Sequence, residues 1–198
     1  MRIALLEKRT VQTTFCLRYS ECGSNLNLWF NLLPSPAASI KMSAGMSITV
    51  FTDGSCHSRL KTGGWASIIF LGKEKITLKG HDSETTHHRM ELIAVIEAMR
   101  FLDENNYLSH PITVYSDSQY VVDLVQRAER LATSRYKTKK LNPIRNADLV
   151  QAVLHFITNY HITLVKLKSH LRSLDFESVT NREVDILSRH MMRTAREG

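Results

Sequence analysis

The chain has 198 residues, of which 43% are hydrophobic and 23% are charged, a composition typical of a globular protein and not of a disordered or collagen-like one. No apolar run reaches the roughly 18 residues that a membrane span requires, and Cys16, Cys22 and Cys56 are too few for a disulfide framework, which favours a reducing compartment such as the cytoplasm. The net charge of +7 favours a polyanionic partner, with nucleic acid the first candidate and an anionic membrane surface the second.

Residues 1–45 differ from the rest of the chain. They contain five Lys or Arg, only two Glu and a proline-containing stretch at residues 34–39 that is typical of a loop. We interpret them as an N-terminal extension that is disordered, a leader, or upstream sequence translated from a wrong start, with Met46 as the true beginning. Their basic character also weakly resembles an organellar transit peptide, so an organelle is the alternative to a cytoplasmic location. Residues 46–198 keep 21 Lys or Arg against 17 Asp or Glu and are predicted to form one domain.

Three short β-prone segments follow Met46. Residues 48–52 form a β-branched run that ends at Asp53 and Gly54, which predicts a strand followed by a turn. Residues 65–70, after a Gly-Gly pair, and residues 75–79, after Gly72, predict the second and third strands. Because only short turns separate them, the three strands are expected to form an antiparallel meander.

The later segments alternate between helical and extended patterns. A helix is predicted from near Thr86, because Leu92, Val95, Ile96 and Met99 recur at helical spacing. The pattern then predicts a strand at residues 112–115, a helix from residue 121, a helix around residues 149–157, a strand at residues 162–167 and a helix at residues 181–196. This order predicts an α/β fold in which helices pack on one five-stranded mixed sheet, with three antiparallel strands followed by parallel ones.

Four carboxylates lie at or near the junctions of these elements. Asp53 and Asp117 end the first and fourth strands, Glu91 lies in the first helix, and Asp185 lies near the start of the last helix. An acid beside apolar core residues is costly unless it is paired or binds a cation, although Asp117 could instead cap its helix and Asp185 could interact with a helix N-terminus. Carboxylates without Cys or His suit Mg²⁺ or Mn²⁺ and not Zn²⁺, and two such ions can hold the attacking and leaving oxygens of a phosphodiester. The spacing leaves open whether the four side chains converge.

Five short motifs occur in order along the second part of the chain. They are Thr-Asp-Gly-Ser at residues 52–55, Gly-Gly-Trp-Ala at 63–66, Thr-Thr-His-His-Arg-Met-Glu-Leu at 85–92, Tyr-Ser-Asp-Ser-Gln-Tyr-Val-Val at 115–122 and Asn-Arg-Glu-Val-Asp-Ile-Leu-Ser-Arg at 181–189. Together with Lys-Ser-His at 168–170, this series resembles the type 1 ribonuclease H family over residues 47–192. The resemblance implies a ribonuclease H-like fold and endonucleolytic hydrolysis of the RNA strand of RNA–DNA hybrids, with 5′-phosphate and 3′-hydroxyl products.

The resemblance also implies roles for the four carboxylates and one histidine. Asp53 would bridge two Mg²⁺ ions, with Mn²⁺ as an alternative metal, and Asp185 would be the second ligand of the ion that activates water. Glu91 and Asp117 would bind the ion that stabilises the leaving 3′-oxygen. His170 matches a mobile-loop histidine of the family, which is thought to help proton transfer or product release.

Contacts with the hybrid follow from matched positions as well. The RNA strand, which its 2′-hydroxyl distinguishes from DNA, would be met by the chain around Ser55, Cys56, His87, Gln119 and Asn181, although Cys56 also fits a small buried residue. Seven Lys or Arg within residues 127–145, among them Lys137, Lys139 and Lys140, occupy the place of the family's basic protrusion. A charge run is usually only a solvated face, but here we expect contacts with phosphates.

The sequence departs from the family pattern at several positions. Arg59 replaces an Asn that reads the minor groove, and His87 and His88 replace the Asn or Gln pair that touches bases and sugars, so substrate preference is expected to change. Glu84 stands where the family often has a basic phosphate ligand, and the loop from residue 170 to residue 185 looks long and retroviral in style. None of these departures removes a metal ligand.

Two other classes of protein stay open. One is another metal nuclease of the same superfamily, such as a resolvase, an integrase or the ribonuclease H part of a reverse transcriptase; the standalone length and the basic protrusion argue against it. The other is a non-catalytic hybrid-binding module, for which a missing carboxylate would be the sign. We expect a monomeric enzyme whose partner is an RNA–DNA hybrid.

Overall fold

The computed structural model describes residues 47–167 and 174–195, in which three strands are followed by helices and the two remaining strands. The strands are β1 (Ile48–His57), β2 (Thr62–Leu71), β3 (Glu74–Asp82), β4 (Ile112–Ser116) and β5 (Ile162–Lys166). The helices are α1 (His87–Glu104), α2 (Gln119–Val122), α3 (Leu124–Thr133), α4 (Ala147–Asn159) and α5 (Phe176–Thr194). The predicted extension at residues 1–45 and the histidine at position 170 lie outside the described residues.

The strands form one mixed sheet in the order β3-β2-β1-β4-β5. β2 pairs antiparallel with both β1 and β3, whereas β4 pairs parallel with both β1 and β5. β1 is therefore the central strand and the junction between the antiparallel and parallel halves. This arrangement confirms the predicted α/β class and strand pattern.

The side chains of β1 alternate between two cores. Ile48 and Val50 belong to the larger core, which α1 and α4 cover with apolar side chains such as Leu92 and Val153. Phe51 lies on the other face, where it packs with Ala66, Ile68 and Val184, the last of which is in α5. Since successive strand side chains point to opposite faces, α1 and α5 lie on opposite faces of the sheet.

The structure corrects the predicted end of β1. The prediction placed a turn at Asp53 and Gly54, but β1 continues antiparallel to β2 as far as the pair of His57 with Thr62. Asp53 is thus an interior residue of the central strand. An Asp-Gly pair favours a turn locally, but here the pairing with β2 and the packing of α1 on Gly54 override that preference.

The predicted bounds of the last helix and the role of Asp117 also need correction. α5 begins at Phe176, after Asp175 accepts a capping hydrogen bond from the Ser178 N–H at 2.7 Å, so Asp185 lies in the middle of the helix and not near its start. Phe176 belongs to this helix and packs on Phe51, so the loop predicted up to residue 185 ends before it. The side chain that caps α2 is Ser118 and not Asp117.

Within the described residues, no helix combines the length and apolar character needed to cross a membrane.

Candidate active site

Asp53 lies at the centre of the sheet and faces α5. Its neighbour Thr52 stands opposite Ser116 in the parallel pairing of β1 with β4. On the α5 side, the buried hydroxyl of Ser188 donates a hydrogen bond to the Asp53 carboxylate. Ser188 Oγ also lies 3.0 Å from the main-chain oxygen of Asp185, so the hydroxyl joins two of the four predicted acids.

Glu91 reaches this region from α1. The helix crosses β1 so closely that a Cβ atom on Gly54 would lie 2.3 Å from the backbone nitrogen of Glu91. The Glu91 side chain is 8% exposed, and its Oε1 lies 3.1 Å from His87 Nε2 while its Oε2 lies 3.0 Å from His88 Nδ1. The side chain of Ser118 is a further hydrogen-bond partner of the carboxylate. Both oxygens of Glu91 are therefore engaged.

Asp117 and Asp185 complete the group. Asp117 is the first residue after β4, and its main-chain oxygen accepts a hydrogen bond of 3.0 Å from Lys166 Nζ of the neighbouring strand. Asp185 forms an ion pair of 2.8 Å with Arg189 Nε, one turn further along α5. The four acids, which are far apart in sequence, thus lie on β1, on the helices that pack against its two faces, and after the strand beside it.

The carboxylates act on one another electrostatically. Burial raises the pKa of Asp53 to about 7; the Ser188 hydrogen bond opposes this rise, whereas the negative charges of Asp117 and Asp185 add to it. Burial likewise raises the pKa of Asp117, and Glu91 and Asp185 raise it further. Burial would raise the pKa of Glu91 too, but the hydrogen bonds from His87, His88 and Ser118 outweigh it and lower that pKa. Negative charge is therefore costly around Asp53.

No three His, Cys, Asp or Glu side chains among residues 47–167 and 174–195 form a ready ligand group for a metal ion. Three of the acids instead have partners of their own, namely Ser188, the histidine pair and Arg189. The donor chemistry nevertheless fits a hard divalent cation, because the group consists of carboxylates alone. A cation would also stabilise the ionised forms of Asp53 and Asp117, whose pKa values are raised first by burial and then by the neighbouring negative charges.

The predicted substrate contacts occupy different kinds of position. Ser55 and Cys56 lie in β1, where Ser55 Oγ is 3.5 Å from Met192 Sδ and Cys56 Sγ is 3.7 Å from the Thr85 main-chain oxygen; burial raises the pKa of the Cys56 thiol. Arg59 is exposed in the turn between β1 and β2. Gln119 begins α2 and hydrogen-bonds to Asp123, and Asn181 lies in α5 with a buried Oδ1 that has no hydrogen-bond partner.

The basic segment, defined here as residues 127–145, covers most of α3 and the connection to α4. Lys137, Lys139 and Lys140 are all exposed in this connection, which is ordered by an antiparallel bridge between Lys137 and Pro143. Their side chains therefore face solvent from a defined backbone, as a phosphate-binding surface requires.

Two polar residues at the starts of helices were not among the predicted site residues. Thr86 and Asn146 occupy the N-cap positions of α1 and α4, yet neither side chain makes a capping hydrogen bond. Thr86 Oγ1 and Asn146 Nδ2 are both buried without a hydrogen-bond partner, and the Arg89–Asp148 ion pair of 3.1 Å joins the first turns of the two helices. In the sequence, a Thr and an Asn precede these two helical segments, but only the ion pair between α1 and α4 shows that the two helices begin side by side.

Solved structures share this fold. LC9-RNase H1, described as a type 1 RNase H with the type 2 active-site motif, superposes with a TM-score of 0.65 at 20% identity and covers 78% of this chain and 76% of that one. LC11-RNase H1, solved in complex with an RNA/DNA hybrid, has a TM-score of 0.54 at 17% identity and covers 75% of this chain and 98% of that one. The fold is therefore of the ribonuclease H class.

Sequence comparison extends the likeness from fold to family. The family model described as RNase H matches residues 45–193. The chain is 34% identical over 125 residues to ribonuclease H of Chlorobium phaeobacteroides, covering 62% of this chain and 83% of that protein. It is 32% identical over 151 residues to ribonuclease H of Caldicellulosiruptor saccharolyticus, covering 75% and 98%. The chain belongs to the RNase H family and is an endoribonuclease.

Proposed function

We propose that this endoribonuclease hydrolyses the RNA strand of RNA–DNA hybrids by a two-metal-ion mechanism and leaves 5′-phosphate and 3′-hydroxyl ends. The observation that carries the proposal is the gathering of Asp53, Glu91, Asp117 and Asp185 around the central strand in a member of this family. A cluster of buried negative charge is costly in itself, and binding of cations at a phosphodiester is the chemistry that gives it a use.

The four carboxylates would hold two Mg²⁺ ions, with Mn²⁺ as an alternative metal. When bound, such ions lower the pKa of water and offset the charge that develops on the scissile phosphate. The protein's own contribution is to fix the acids on rigid elements: β1, α1, the end of β4, and α5. Lys166, which donates to the Asp117 main-chain oxygen, stabilises the turn that presents Asp117. We retain His170 as the proposed proton carrier or aid to product release.

The hybrid would lie across the face formed by the active site and the basic segment. Thr86 Oγ1 and Asn146 Nδ2, both buried and without partners, stand where two helix N-termini meet, a place that favours a phosphate group. Exposed Lys137, Lys139 and Lys140 would contact further phosphates. The proposed contacts to sugars and bases remain Ser55, Cys56, Arg59, His87, His88, Gln119 and Asn181.

A labelled RNA–DNA hybrid incubated with the protein and Mg²⁺ tests the proposal. Cleavage confined to the RNA strand is expected, with 5′-phosphate ends and complete loss of activity in EDTA. Asp53→Asn should lower turnover roughly a thousandfold or more, because a ligand shared by both ions supplies several kcal/mol of transition-state stabilisation, while hybrid binding persists. Asp103→Asn, at an exposed acid near the end of α1, is the matched control and should cleave normally.

Other outcomes would decide against parts of the proposal. Near-normal turnover of Asp53→Asn in Mg²⁺ would contradict the two-metal assignment. Tight hybrid binding by the wild type without cleavage in Mg²⁺ or Mn²⁺ would instead favour a binding module.

A further inference from the structure

His88 makes two contacts that together restrict its ring. Its Nδ1 lies 3.0 Å from Glu91 Oε2 on the same helix. Its ring stacks on Tyr120 of α2, with centroids 4.4 Å apart and planes 21° from parallel. Since an ionised carboxylate only accepts hydrogen bonds, Nδ1 is the donor. The stack fixes the plane of the His88 ring, and the hydrogen bond fixes the direction in which its Nδ1 points.

Tyr120 also contacts residues of the basic segment. The Arg127 guanidinium lies 5.4 Å from the centre of the Tyr120 ring, and Arg127 Nη2 lies 3.4 Å from the Tyr120 main-chain oxygen. The Tyr120 hydroxyl lies 3.5 Å from the main-chain oxygen of Arg145. A continuous series of contacts therefore runs from Glu91 through His88 and Tyr120 to both ends of the basic segment.

His87 provides a contrast on the same carboxylate. It lies 3.1 Å from Glu91 Oε1, its side chain is 58% exposed against 45% for His88, and its ring neighbour is His88 itself, 6.2 Å away. The two histidines bind opposite oxygens of Glu91, but only His88 has its ring stacked on a residue of another helix. The two positions are therefore not equivalent.

We propose that His88, held by its stack on Tyr120, is a positioning residue that orients the Glu91 carboxylate for metal binding. The inference rests on the proposed function, because it takes Glu91 as a metal ligand. Side chains that hydrogen-bond to metal ligands fix the ligand's orientation, and their removal commonly costs tenfold to a hundredfold in metal affinity or activity, as a rough guide. The ring must be aromatic to stack and must carry a donor to hold Glu91, so neither property alone suffices.

Variants that remove one property at a time test the proposal. His88→Phe keeps the ring and removes the donor, whereas Tyr120→Leu removes the stacking surface and leaves His88 intact. Tyr120→Phe keeps the surface and is the conservative rescue. His110→Phe is a matched control, because His110 packs against Tyr107 before the start of β4, at the end opposite Asp117.

Two measurements are made on each folded variant, checked by circular dichroism. The first is the Mg²⁺ concentration that gives half-maximal hybrid cleavage, with kcat and KM at saturating Mg²⁺. The second is the Mg²⁺-induced rise in Tm of the protein without substrate, which does not depend on activity. His88→Phe should need roughly tenfold more Mg²⁺ and show a smaller rise in Tm. Loss of the proposed contact of His88 with the hybrid would raise KM as well, but it cannot change the Tm response measured without substrate. Tyr120→Leu should shift the required Mg²⁺ concentration and the rise in Tm in the same directions, but by less. Tyr120→Phe and His110→Phe should match the wild type.

The remaining outcomes distinguish the inference from the proposed function. If Glu91→Gln loses activity and its Mg²⁺ response but His88→Phe behaves as wild type, the positioning role is overturned and the proposed function stands. A raised KM with an unchanged Mg²⁺ response would also overturn it, since His88 would then be a substrate contact alone and not a positioning residue. If Glu91→Gln retains normal Mg²⁺ dependence, the metal assignment itself fails and the inference falls with it. In the Glu91→Gln background, His88→Phe should add no further change in the Tm response.

Discussion

At the scale of single residues, Asp53 sits in an environment poorly suited to a charge. It lies in the central strand, close to Asp117 and Asp185, and its pKa is raised by burial to about 7. The unfolded chain would release the same proton near pH 4. Between these values the folded chain binds more protons than the unfolded one, so this group makes the fold less stable as the pH rises from about 4 to about 7.

Asp53→Asn is therefore expected to stabilise the metal-free protein in a pH-dependent way. The gain in unfolding free energy should be near zero at pH 4 and grow to a few kcal/mol above pH 7, at roughly 1.4 kcal/mol for each unit of pKa shift. Urea denaturation in EDTA at several pH values measures it, with Asp103→Asn as the control for the substitution itself. Saturating Mg²⁺ should stabilise the wild type and remove the difference. A gain that is constant with pH would argue against the raised pKa.

At the scale of elements, the contact of α1 with β1 places the backbone of Glu91 against Gly54, the residue that follows Asp53. The contact depends on Gly54, where a Cβ atom would lie 2.3 Å from the Glu91 nitrogen and 2.4 Å from the Met90 carbonyl carbon. These are backbone atoms of a helix whose buried face includes Leu92 and Ile96, so they yield only if α1 moves as a unit. Gly54 therefore sets how closely α1, which carries Glu91, approaches the strand that carries Asp53.

Gly54→Ala should lower both stability and turnover. Overpacking of a closely packed contact typically costs about 1–3 kcal/mol, and displacement of α1 would move Glu91 away from Asp53. Thermal unfolding and kcat on a hybrid measure the two effects. Gly72→Ala is the matched control: Gly72 has a φ of +61° but open space around it, so it should lose stability by about 1–2 kcal/mol of backbone strain and keep its turnover. Normal turnover of Gly54→Ala would show that α1 can shift without cost to the site.

The basic segment is the second element with a testable role. Replacing Lys137, Lys139 and Lys140 with Ala should weaken binding to all hybrid sequences about equally, because a phosphate that no lysine neutralises keeps its condensed counterions. The slope of log affinity against log salt should flatten by roughly 0.7–0.9 for each such phosphate. KM should rise while turnover at saturating hybrid changes little. An unchanged salt slope would mean that the three lysines are only solvated and contact no phosphate. A large loss of turnover with normal KM would mean that they position the scissile strand.

At the scale of the whole molecule, two apolar cores on opposite faces of one sheet account for the fold of the described residues. The larger core lies under α1 and α4, and the smaller one, around Phe51, lies under α5. The four acids stand where these layers meet the central strand. The match to the family begins at residue 45, close to the boundary that composition predicts.

A protein beginning at Met46 is accordingly expected to fold and to cleave as well as the full chain. Tm, solubility and kcat/KM of the two forms on the same hybrid measure this. An insoluble or inactive truncated protein would show that residues 1–45 belong to the domain. Retained solubility with much weaker binding would make them an auxiliary basic arm.

Local patterns in the sequence were enough to predict the class of fold and the order of its five strands, and they singled out four acids as candidates for a metal site. The one helix predicted from residue 121 is two helices in the structure, α2 and α3. The β-branched run at residues 48–52 and the helical spacing from Leu92 to Met99 depend on near neighbours in the chain. These patterns persist in the folded protein because packing reinforces them.

Other features depend on partners that are distant in the chain, and the sequence patterns did not predict them. β1 runs through Asp53 because β2 pairs with it. The ring of Phe176, at the start of α5, packs edge-on against Phe51 of β1. The contacts of Ser188 with Asp53 and of His88 with Tyr120 also depend on partners that are distant in the chain. Each of them joins side chains of different elements, which only the assembled sheet and its helices bring within reach.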